Sequence, residues 1–275
     1  MSYAYLINPG SSVSLKDYDA SYHDGIEKSD GLVKLAKLGA RMADLQELMF
    51  AAGQDALLVV LQGMDTSGKD GAIRTLLNFV NVQSCRVAPF KQPTEQELAH
   101  DFLWRVHSQT PAKGGMTVFN RSHYEDVVVV RVHDLAPKDV IKDRYRRINA
   151  FEEILNASST RILKFYLHIT KDEQEQRLLD REKDVTKAWK LSVGDWKERE
   201  LWGDYREAYE DALTKCSTKE APWRVVPSNH KWFRDLAIAE AIVKTLEPMA
   251  ERWTDHLKTL GKARVEELKM FRSGK

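Results

Sequence analysis

Cysteine and long apolar runs are what this chain of 275 residues has least of. Its two cysteines, Cys85 and Cys216, show no Cys-x-x-Cys spacing and no metal-like grouping with histidine. A disulfide framework is therefore not expected, and two reduced thiols fit a cytoplasmic protein. No run approaches the ~20 apolar residues of a bilayer-spanning helix. The polar stretch 1–30 lacks the apolar core of a secretory signal. We expect a soluble cytoplasmic protein without a membrane partner.

An excess of charge of either sign is missing as well. Lys and Arg total 42 against 41 Asp and Glu. The net charge of the chain is too small to attract a polyanion, so any anion site must come from a local cluster of basic residues. The balance and the lack of a long basic stripe disfavour a nucleic-acid partner. A hydrophobic fraction of 43% is sufficient for one large α/β domain, with at most a helical appendage.

The apolar pattern alternates between helix and strand. Residues 1–30 read as an irregular arm, and steps of three and four residues from Asp30 to Ala52 predict an amphipathic helix that ends at Gly53. Strands are predicted at 56–62, 84–88, 115–119, 161–169 and 223–227, and helices at 70–80, 94–108, 138–157, 171–183, 203–216 and 233–258. The run Val127–Val130 fits either state, and its position favours helix. The alternation indicates a parallel sheet with helices on both faces.

A glycine-rich segment follows the strand predicted at 56–62 and precedes a helix. It reads Gly63, Met64, Asp65, Thr66, Ser67, Gly68, Lys69, Asp70 and Gly71. The glycines let backbone N–H groups converge on an anion, the helix N-terminus adds its positive end, and Lys69 supplies a point charge. Asp70 stands where Ser or Thr normally holds magnesium. The segment predicts a phosphate site; the alternative is an ordinary glycine turn with a solvated lysine.

A second polar segment follows the strand predicted at 115–119. In a P-loop fold, the strand beside the phosphate loop usually ends in an acidic residue that orients magnesium. Here the strand end carries Asn120, a poorer ligand, so Glu125 or Asp65 can take that task. The alternative is a polar strand end without a metal. Arg121 is expected to face the phosphate loop, either as a catalytic group or in a structural ion pair.

Basic residues are concentrated beyond the helix predicted at 171–183. They are Arg181, Lys183, Lys187 and Lys190. A kinase closes such a lid over the donor to exclude water and neutralise the phosphoryl group, although a charge run can also be a solvated face. The tryptophans, Trp202 among them, read as packing residues rather than base-stacking ones. Trp104 or Phe102 could line a pocket for an acceptor base, and the sequence does not decide this.

Together these segments resemble the polyphosphate kinase 2 family. The matching pieces are the loop 63–71, the segment 120–126, the lid start 180–183 and the segment 227–240, so the similarity spans roughly residues 30 to 250. The family's loop pattern accounts for Asp70. The resemblance implies a thymidylate-kinase-like P-loop fold and phosphoryl transfer between inorganic polyphosphate and nucleotides with magnesium. The form Asn120-Arg121-Ser122, in place of Asp-Arg-Ser, resembles the subgroup that accepts both AMP and ADP.

We therefore expect a three-layer α/β P-loop kinase that uses polyphosphate to phosphorylate AMP and ADP, with guanine nucleotides as further candidate acceptors. The expected parts are an arm 1–30, a kinase domain 31–250 with a lid at about 181–202, and a tail 251–275 that is a solvated helix or a contact with another subunit. A homo-oligomer is expected. The alternatives are an ATP-dependent nucleoside or nucleotide kinase and a P-loop module that binds nucleotide without turnover.

Each expected site residue has a role. The catalytic residues are Asp65, Lys69, Arg121, Glu125 and Arg181. The phosphates are held by Gly63, Thr66, Ser67, Gly68, Lys69, Asp70, Gly71, Lys183, Lys187 and Lys190, and Mg²⁺ by Asp65, Asn120 and Glu125. Positioning and charge neutralisation should dominate over proton abstraction, because a phosphate oxygen is already a competent nucleophile.

Overall fold

A six-stranded sheet forms the centre of the molecule in a computed structural model that describes residues 2–190 and 192–274, without the side chains of 187, 188 and 190. The strands are β1 (Tyr5–Leu6), β2 (Ala56–Gln62), β3 (Cys85–Pro89), β4 (Met116–Asn120), β5 (Thr160–His168) and β6 (Trp223–Pro227). Their order across the sheet is β1-β6-β5-β2-β4-β3. Strands β2 to β6 are parallel, which confirms the five predicted strands to within a residue.

Helices cover both faces of the sheet. They are α1 (Lys28–Ala52), α2 (Lys69–Leu77), α3 (Glu95–Leu98), α4 (Trp104–His107), α5 (Val129–Val132), α6 (Lys138–Ala157), α7 (Lys171–Lys183), α8 (Val193–Glu200), α9 (Trp202–Cys216), α10 (Lys231–Leu246) and α11 (Ala250–Arg272). One apolar layer packs α6 and α9 against the sheet, and the other packs α1, α2, α10 and α11. This is the expected three-layer α/β architecture. None of the helices described is long and apolar enough to cross a membrane.

Three local predictions need correction. The arm 1–30 is not wholly irregular, because β1 pairs antiparallel with β6 and so adds an antiparallel edge to the parallel sheet. The region 94–108 is not one helix: the Asp101 carboxylate accepts the Leu103 N–H at 3.0 Å and interrupts it between α3 and α4. The predicted helix 233–258 is divided by the 3₁₀ turn Glu247–Met249, where Pro248 lacks the N–H that a continuous helix needs.

Parallel pairing places the functional segments at one edge of the sheet. Leu61 of β2 aligns with Asn120 of β4, and Gln62 aligns with Tyr166 of β5. The carboxyl ends of these strands therefore meet, and the loops that follow them converge. The segments 63–68 and 121–126 become neighbours, although more than fifty residues separate them along the chain.

Candidate active site

The loop between β2 and α2 has a backbone that requires glycine at two points. Gly63 has φ 148° and Gly68 has φ 103°. A Cβ atom at Gly63 would lie 2.7 Å from the Leu167 carbonyl oxygen, and one at Gly68 would lie 2.0 Å from a guanidinium nitrogen of Arg234. Only glycine fits such positions. Helix α2 begins at Lys69, directly after the loop, so its first N–H groups and its positive end face the loop and suit an anion.

The Lys69 side chain folds back over this loop. Its Nζ donates to the carbonyl oxygens of Gly63 at 2.8 Å and Met64 at 3.1 Å, and the residue is 8% exposed. Burial, with a smaller contribution from the Arg121 guanidinium, lowers the pKa of Lys69 to about 8. The structure therefore brings the lysine, the glycines and the helix N-terminus together, as the sequence predicts.

Two carboxylates flank Arg121 beside the loop. Its Nη2 lies 2.7 Å from Asp65 Oδ1 and its Nη1 lies 3.0 Å from Glu125 Oε2. Burial opposes the charged form, but Glu125 and Asp65 outweigh it and raise the pKa of Arg121 above its ordinary value. The backbone of Arg121 has φ 62°, and its N–H donates to the Leu61 carbonyl at 3.1 Å. The loop and the segment after β4 thus share one ion-pair network that keeps the Arg121 guanidinium charged.

The same residues fit a divalent cation bound with a phosphate ligand. Glu125 Oε1, Thr66 Oγ1 and Ser67 Oγ are buried without a hydrogen-bond partner. Within the described part of the chain, no group of three or more His, Cys, Asp or Glu residues is placed to hold a metal alone. Mg²⁺ is commonly bound by one or two carboxylates together with substrate phosphates and water. Asn120 donates its Nδ2 to Asp70 Oδ1 at 2.9 Å, which leaves only its amide oxygen for a metal.

An ion pair joins the two helices of the region predicted to be a lid. Arg181 Nη1 near the end of α7 lies 2.7 Å from Asp195 Oδ2 of α8. The pKa of Asp195 is raised by burial and by the Asp65 carboxylate, so α8 lies near the loop. Lys183 is exposed at the last residue of α7. The side chains of Lys187 and Lys190 lie outside the described residues, and their predicted contact with phosphate stays a prediction.

Two residues that the sequence reasoning missed brace the loop from α7. Arg177 donates through Nη1 to the carbonyl oxygens of Thr66 at 2.9 Å and Ser67 at 3.0 Å. Gln174 donates through Nε2 to the Asp65 carbonyl at 3.0 Å. Arg177 precedes Arg181 by one helical turn, and this spacing is the sequence signal that could have revealed it. Helix α7, which precedes the predicted lid, therefore also holds the backbone of the loop.

A buried charged cluster lies beneath the segment after β4. Lys164 Nζ of β5 lies 2.5 Å from Glu152 Oε2 of α6 and donates to the Tyr124 hydroxyl at 2.9 Å. Glu152 Oε1 accepts the Tyr124 hydroxyl at 2.8 Å and lies 3.2 Å from His123 Nε2. Burial lowers the pKa of His123, so its ring is neutral near pH 7. These contacts hold the backbone from which Arg121 and Glu125 reach the site.

A glycine-rich loop with a buried lysine at a helix N-terminus and a strand-end arginine between two carboxylates are the arrangement of a P-loop phosphotransferase. The model of Polyphosphate kinase 2 (PPK2) matches residues 25–253. The chain belongs to the polyphosphate kinase 2 family, and it is a polyphosphate-dependent nucleotide phosphotransferase.

Individual relatives agree with the family model. An AMP/ADP-polyphosphate phosphotransferase of Meiothermus ruber is 49% identical over 251 residues, which cover 90% of this chain and 94% of the relative. An ADP-polyphosphate phosphotransferase of Rhodopseudomonas palustris is 42% identical over 76% of each chain. The crystal structure of Polyphosphate Kinase 2 from Arthrobacter aurescens TC1 superposes with a TM-score of 0.86 at 42% identity over 88% of each chain. The expectation of this family is confirmed, and the ATP-dependent alternative is not favoured.

Proposed function

We propose that this protein transfers phosphoryl groups from inorganic polyphosphate to both AMP and ADP, with Mg²⁺ as the divalent cation. The observation that carries the proposal is the Asp65–Arg121–Glu125 network beside Lys69. The form Asn120-Arg121-Ser122 supports the use of two acceptors, because the neutral Asn120 leaves less negative charge near their phosphates. The Meiothermus ruber relative, whose name includes both AMP and ADP, supports the same choice.

The site would promote the reaction by positioning the two substrates and by neutralising the charge of the phosphoryl group that is transferred. The N–H groups of the loop and Lys69 hold the phosphate chain, while Arg121 and Arg181 neutralise the phosphoryl group as it moves. The attacking group is a phosphate oxygen of the acceptor, which needs no general base. Mg²⁺ held by Asp65 and Glu125, with Asn120 as a weaker candidate ligand, would supply further charge neutralisation. The basic residues of the lid would hold the rest of the donor.

Other parts of the expected function stay predictions. They are the use of guanine nucleotides, a homo-oligomer, a cytoplasmic location, the division into an arm, a kinase domain and a tail, and phosphate contacts by Lys183, Lys187 and Lys190. The free thiols Cys85 and Cys216 support the cytoplasmic location.

A donor–acceptor matrix tests the proposal. Polyphosphate or ATP is combined with AMP, ADP, GMP or GDP and Mg²⁺, and the products are followed by chromatography. Starting from AMP and polyphosphate without ATP, we expect ADP to rise first and ATP to follow, because one site accepts both nucleotides. ADP that accumulates without ATP even after long incubation would refute the use of both acceptors. Turnover with ATP but not with polyphosphate would refute the proposal that polyphosphate is the donor.

A second expected result is a dependence on pH that arises from Lys69. Its pKa of about 8 means that the ammonium is present at lower pH and is lost as the pH rises through 8. The value of kcat/KM for polyphosphate should therefore fall above pH 8, since this ratio reports groups of the free enzyme. The matched control is Lys69→Arg, whose charge does not titrate in this range. Identical profiles for the two proteins would show that another group, such as the donor itself, is responsible.

A further inference from the structure

Arg177 on α7 uses its whole guanidinium group in contacts within the protein. A guanidinium has five N–H groups, one on Nε and two on each Nη. Its acceptors, at 2.5 to 3.1 Å, are Glu173 Oε1 for Nε, the carbonyl oxygens of Thr66 and Ser67 for Nη1, and those of Ser228 and Asn229 for Nη2. The side chain is 8% exposed. All five N–H groups of Arg177 therefore have an acceptor, and none is left for a substrate phosphate.

The part of the loop that α7 contacts contains a residue in an unfavourable conformation. Thr66 has φ 62°, a value that β-branched residues rarely adopt and that persists only where surrounding contacts enforce it. Gln174 donates to the carbonyl oxygen of Asp65, the residue before it. Arg177 donates to the carbonyl oxygens of Thr66 itself and of Ser67. Helix α7 therefore fixes three consecutive peptide groups around the strained residue.

These contacts decide where the N–H groups of the loop point. In a trans peptide group the carbonyl and the following N–H point in opposite directions. Because α7 holds the carbonyl sides, the N–H groups of Thr66 and Gly68 point away from α7, while the Ser67 N–H donates to the Met64 carbonyl at 3.1 Å. A left-handed residue among such peptide groups is typical of a concave backbone site for anions. A cation on the carbonyl side also polarises the peptide group, which strengthens its N–H as a donor.

The carbonyl groups on the other side of Arg177 are anchored as well. The Asn229 N–H donates to the Ala20 carbonyl at 3.0 Å, and its Nδ2 donates to Ser21 Oγ at 2.7 Å. Its Oδ1 accepts the N–H of Thr170, the residue that caps α7, at 3.1 Å. Arg177 therefore connects the loop to a segment that the N-terminal arm and the start of α7 already hold in place.

We infer that Arg177 and Gln174 are positioning residues for phosphoryl transfer, which hold the carbonyl side of the loop so that its N–H groups face the donor phosphates. Neither is a catalytic residue, because both act through the backbone of the loop. The inference rests on the proposed function, in which this loop binds polyphosphate, and adds to it the residues that set the shape of the loop before the donor arrives.

Steady-state kinetics of the full chain, with polyphosphate as donor, ADP as acceptor and Mg²⁺, test the inference. Arg177→Lys keeps the positive charge, but an ammonium cannot replace the planar fork that reaches three segments. The KM for polyphosphate should rise about 10-fold, because buried carbonyls of the loop lose their donors. The KM for ADP should stay unchanged, because the loop holds the donor. Arg177→Met should give the same rise as Arg177→Lys.

A milder variant and a matched control complete the test. Gln174→Met releases only the Asp65 carbonyl, so it should raise the KM for polyphosphate about 3-fold, and it decides the question if the Arg177 variants do not fold. The control is Arg105→Lys. Arg105 is 7% exposed and donates to the Lys91 carbonyl at 2.8 Å rather than to a carbonyl of the loop. This control should unfold at lower urea concentration but keep both KM values.

Three results would overturn the inference alone. An unchanged KM for polyphosphate in Arg177→Lys would assign any effect of Arg177→Met to charge, and an unchanged KM in Gln174→Met would remove the role of the Asp65 contact. An equal rise of both KM values, or the same rise in Arg105→Lys, would indicate a general loosening of the structure. A wild-type protein that does not use polyphosphate would instead overturn the proposed function, so the two failures are distinguishable.

Discussion

Lys69→Ala is expected to lower kcat by about 100- to 1,000-fold, the usual effect of removing one preorganised charge from the site of phosphoryl transfer. The ammonium lies at the start of α2 and contacts the loop carbonyls of Gly63 and Met64. The other cations beside the loop are arginines with partners of their own: two carboxylates hold Arg121, and Arg177 donates to the carbonyl oxygens of Thr66 and Ser67. Initial rates at saturating donor and acceptor measure the effect.

The fold of this variant must be checked, because Lys69 is buried. Far-UV circular dichroism and the urea unfolding midpoint should stay close to the wild type, since alanine fits a helix start and removes a charge rather than an apolar contact. The exposed Lys113→Ala is the matched control for lysine removal and should be fully active. Near-normal turnover by a folded Lys69→Ala protein would rule out the assigned phosphate loop.

The largest effect on stability is expected for Lys164→Met. Lys164 and Glu152 are both buried, at 0% and 1% exposure of their side chains. Removal of the lysine leaves the Glu152 carboxylate without its cation, and breaking a buried pair in this way typically costs about 3–5 kcal/mol. The free energy of unfolding from urea titration measures the loss. The lysine also contacts Tyr124, so activity should fall as the backbone near Arg121 and Glu125 loosens.

The matched control for this prediction is Lys215→Met. Lys215 pairs with Asp211 at 2.7 Å, but both side chains are more than one-third exposed. Such a pair contributes about 0–1 kcal/mol, so the control should unfold almost as the wild type does. The double replacement Lys164→Met with Glu152→Leu should recover part of the lost stability, because no uncompensated charge remains in the core. Equal losses for Lys164→Met and Lys215→Met would contradict the role assigned to burial.

The features that the sequence predicted correctly are those with a local signal. The parallel strands are continuous apolar runs, and the glycine-rich loop 63–71 is a contiguous pattern between a strand and a helix. The sequence also predicted the end of α1 at Gly53, because a glycine commonly follows the last residue of a helix. In the structure Gly53 has φ 60°, the left-handed conformation that favours glycine. The sequence did not predict the boundary between α3 and α4, because helical periodicity continues across Asp101. The Asp101 side chain accepts a backbone N–H within the turn and so interrupts the helix.

The supporting residues of the site could not be predicted from local patterns. Arg177 contacts the loop across 110 residues or more of chain, and its sequence context is that of an exposed helix. Lys164 lies in a buried strand. From the sequence, a lysine predicts an exposed position unless a partner for its charge is known. That partner, Glu152, lies on a different element. Such contacts arise from the tertiary packing of α6 and α7, and the one-turn spacing of Arg177 and Arg181 is the one short pattern in the sequence that bears on them.

The most direct measurement is the donor arm of the donor–acceptor matrix, with ADP, Mg²⁺ and polyphosphate that carries a labelled phosphorus, in the absence of any nucleoside triphosphate. If the phosphate loop at Lys69 takes its phosphoryl group from polyphosphate, the label should appear in the γ-phosphate of newly formed ATP, and Lys69→Ala should form it about 100- to 1,000-fold more slowly. Unlabelled ATP, or no ATP until a nucleoside triphosphate is added, would contradict the assignment of polyphosphate as the donor.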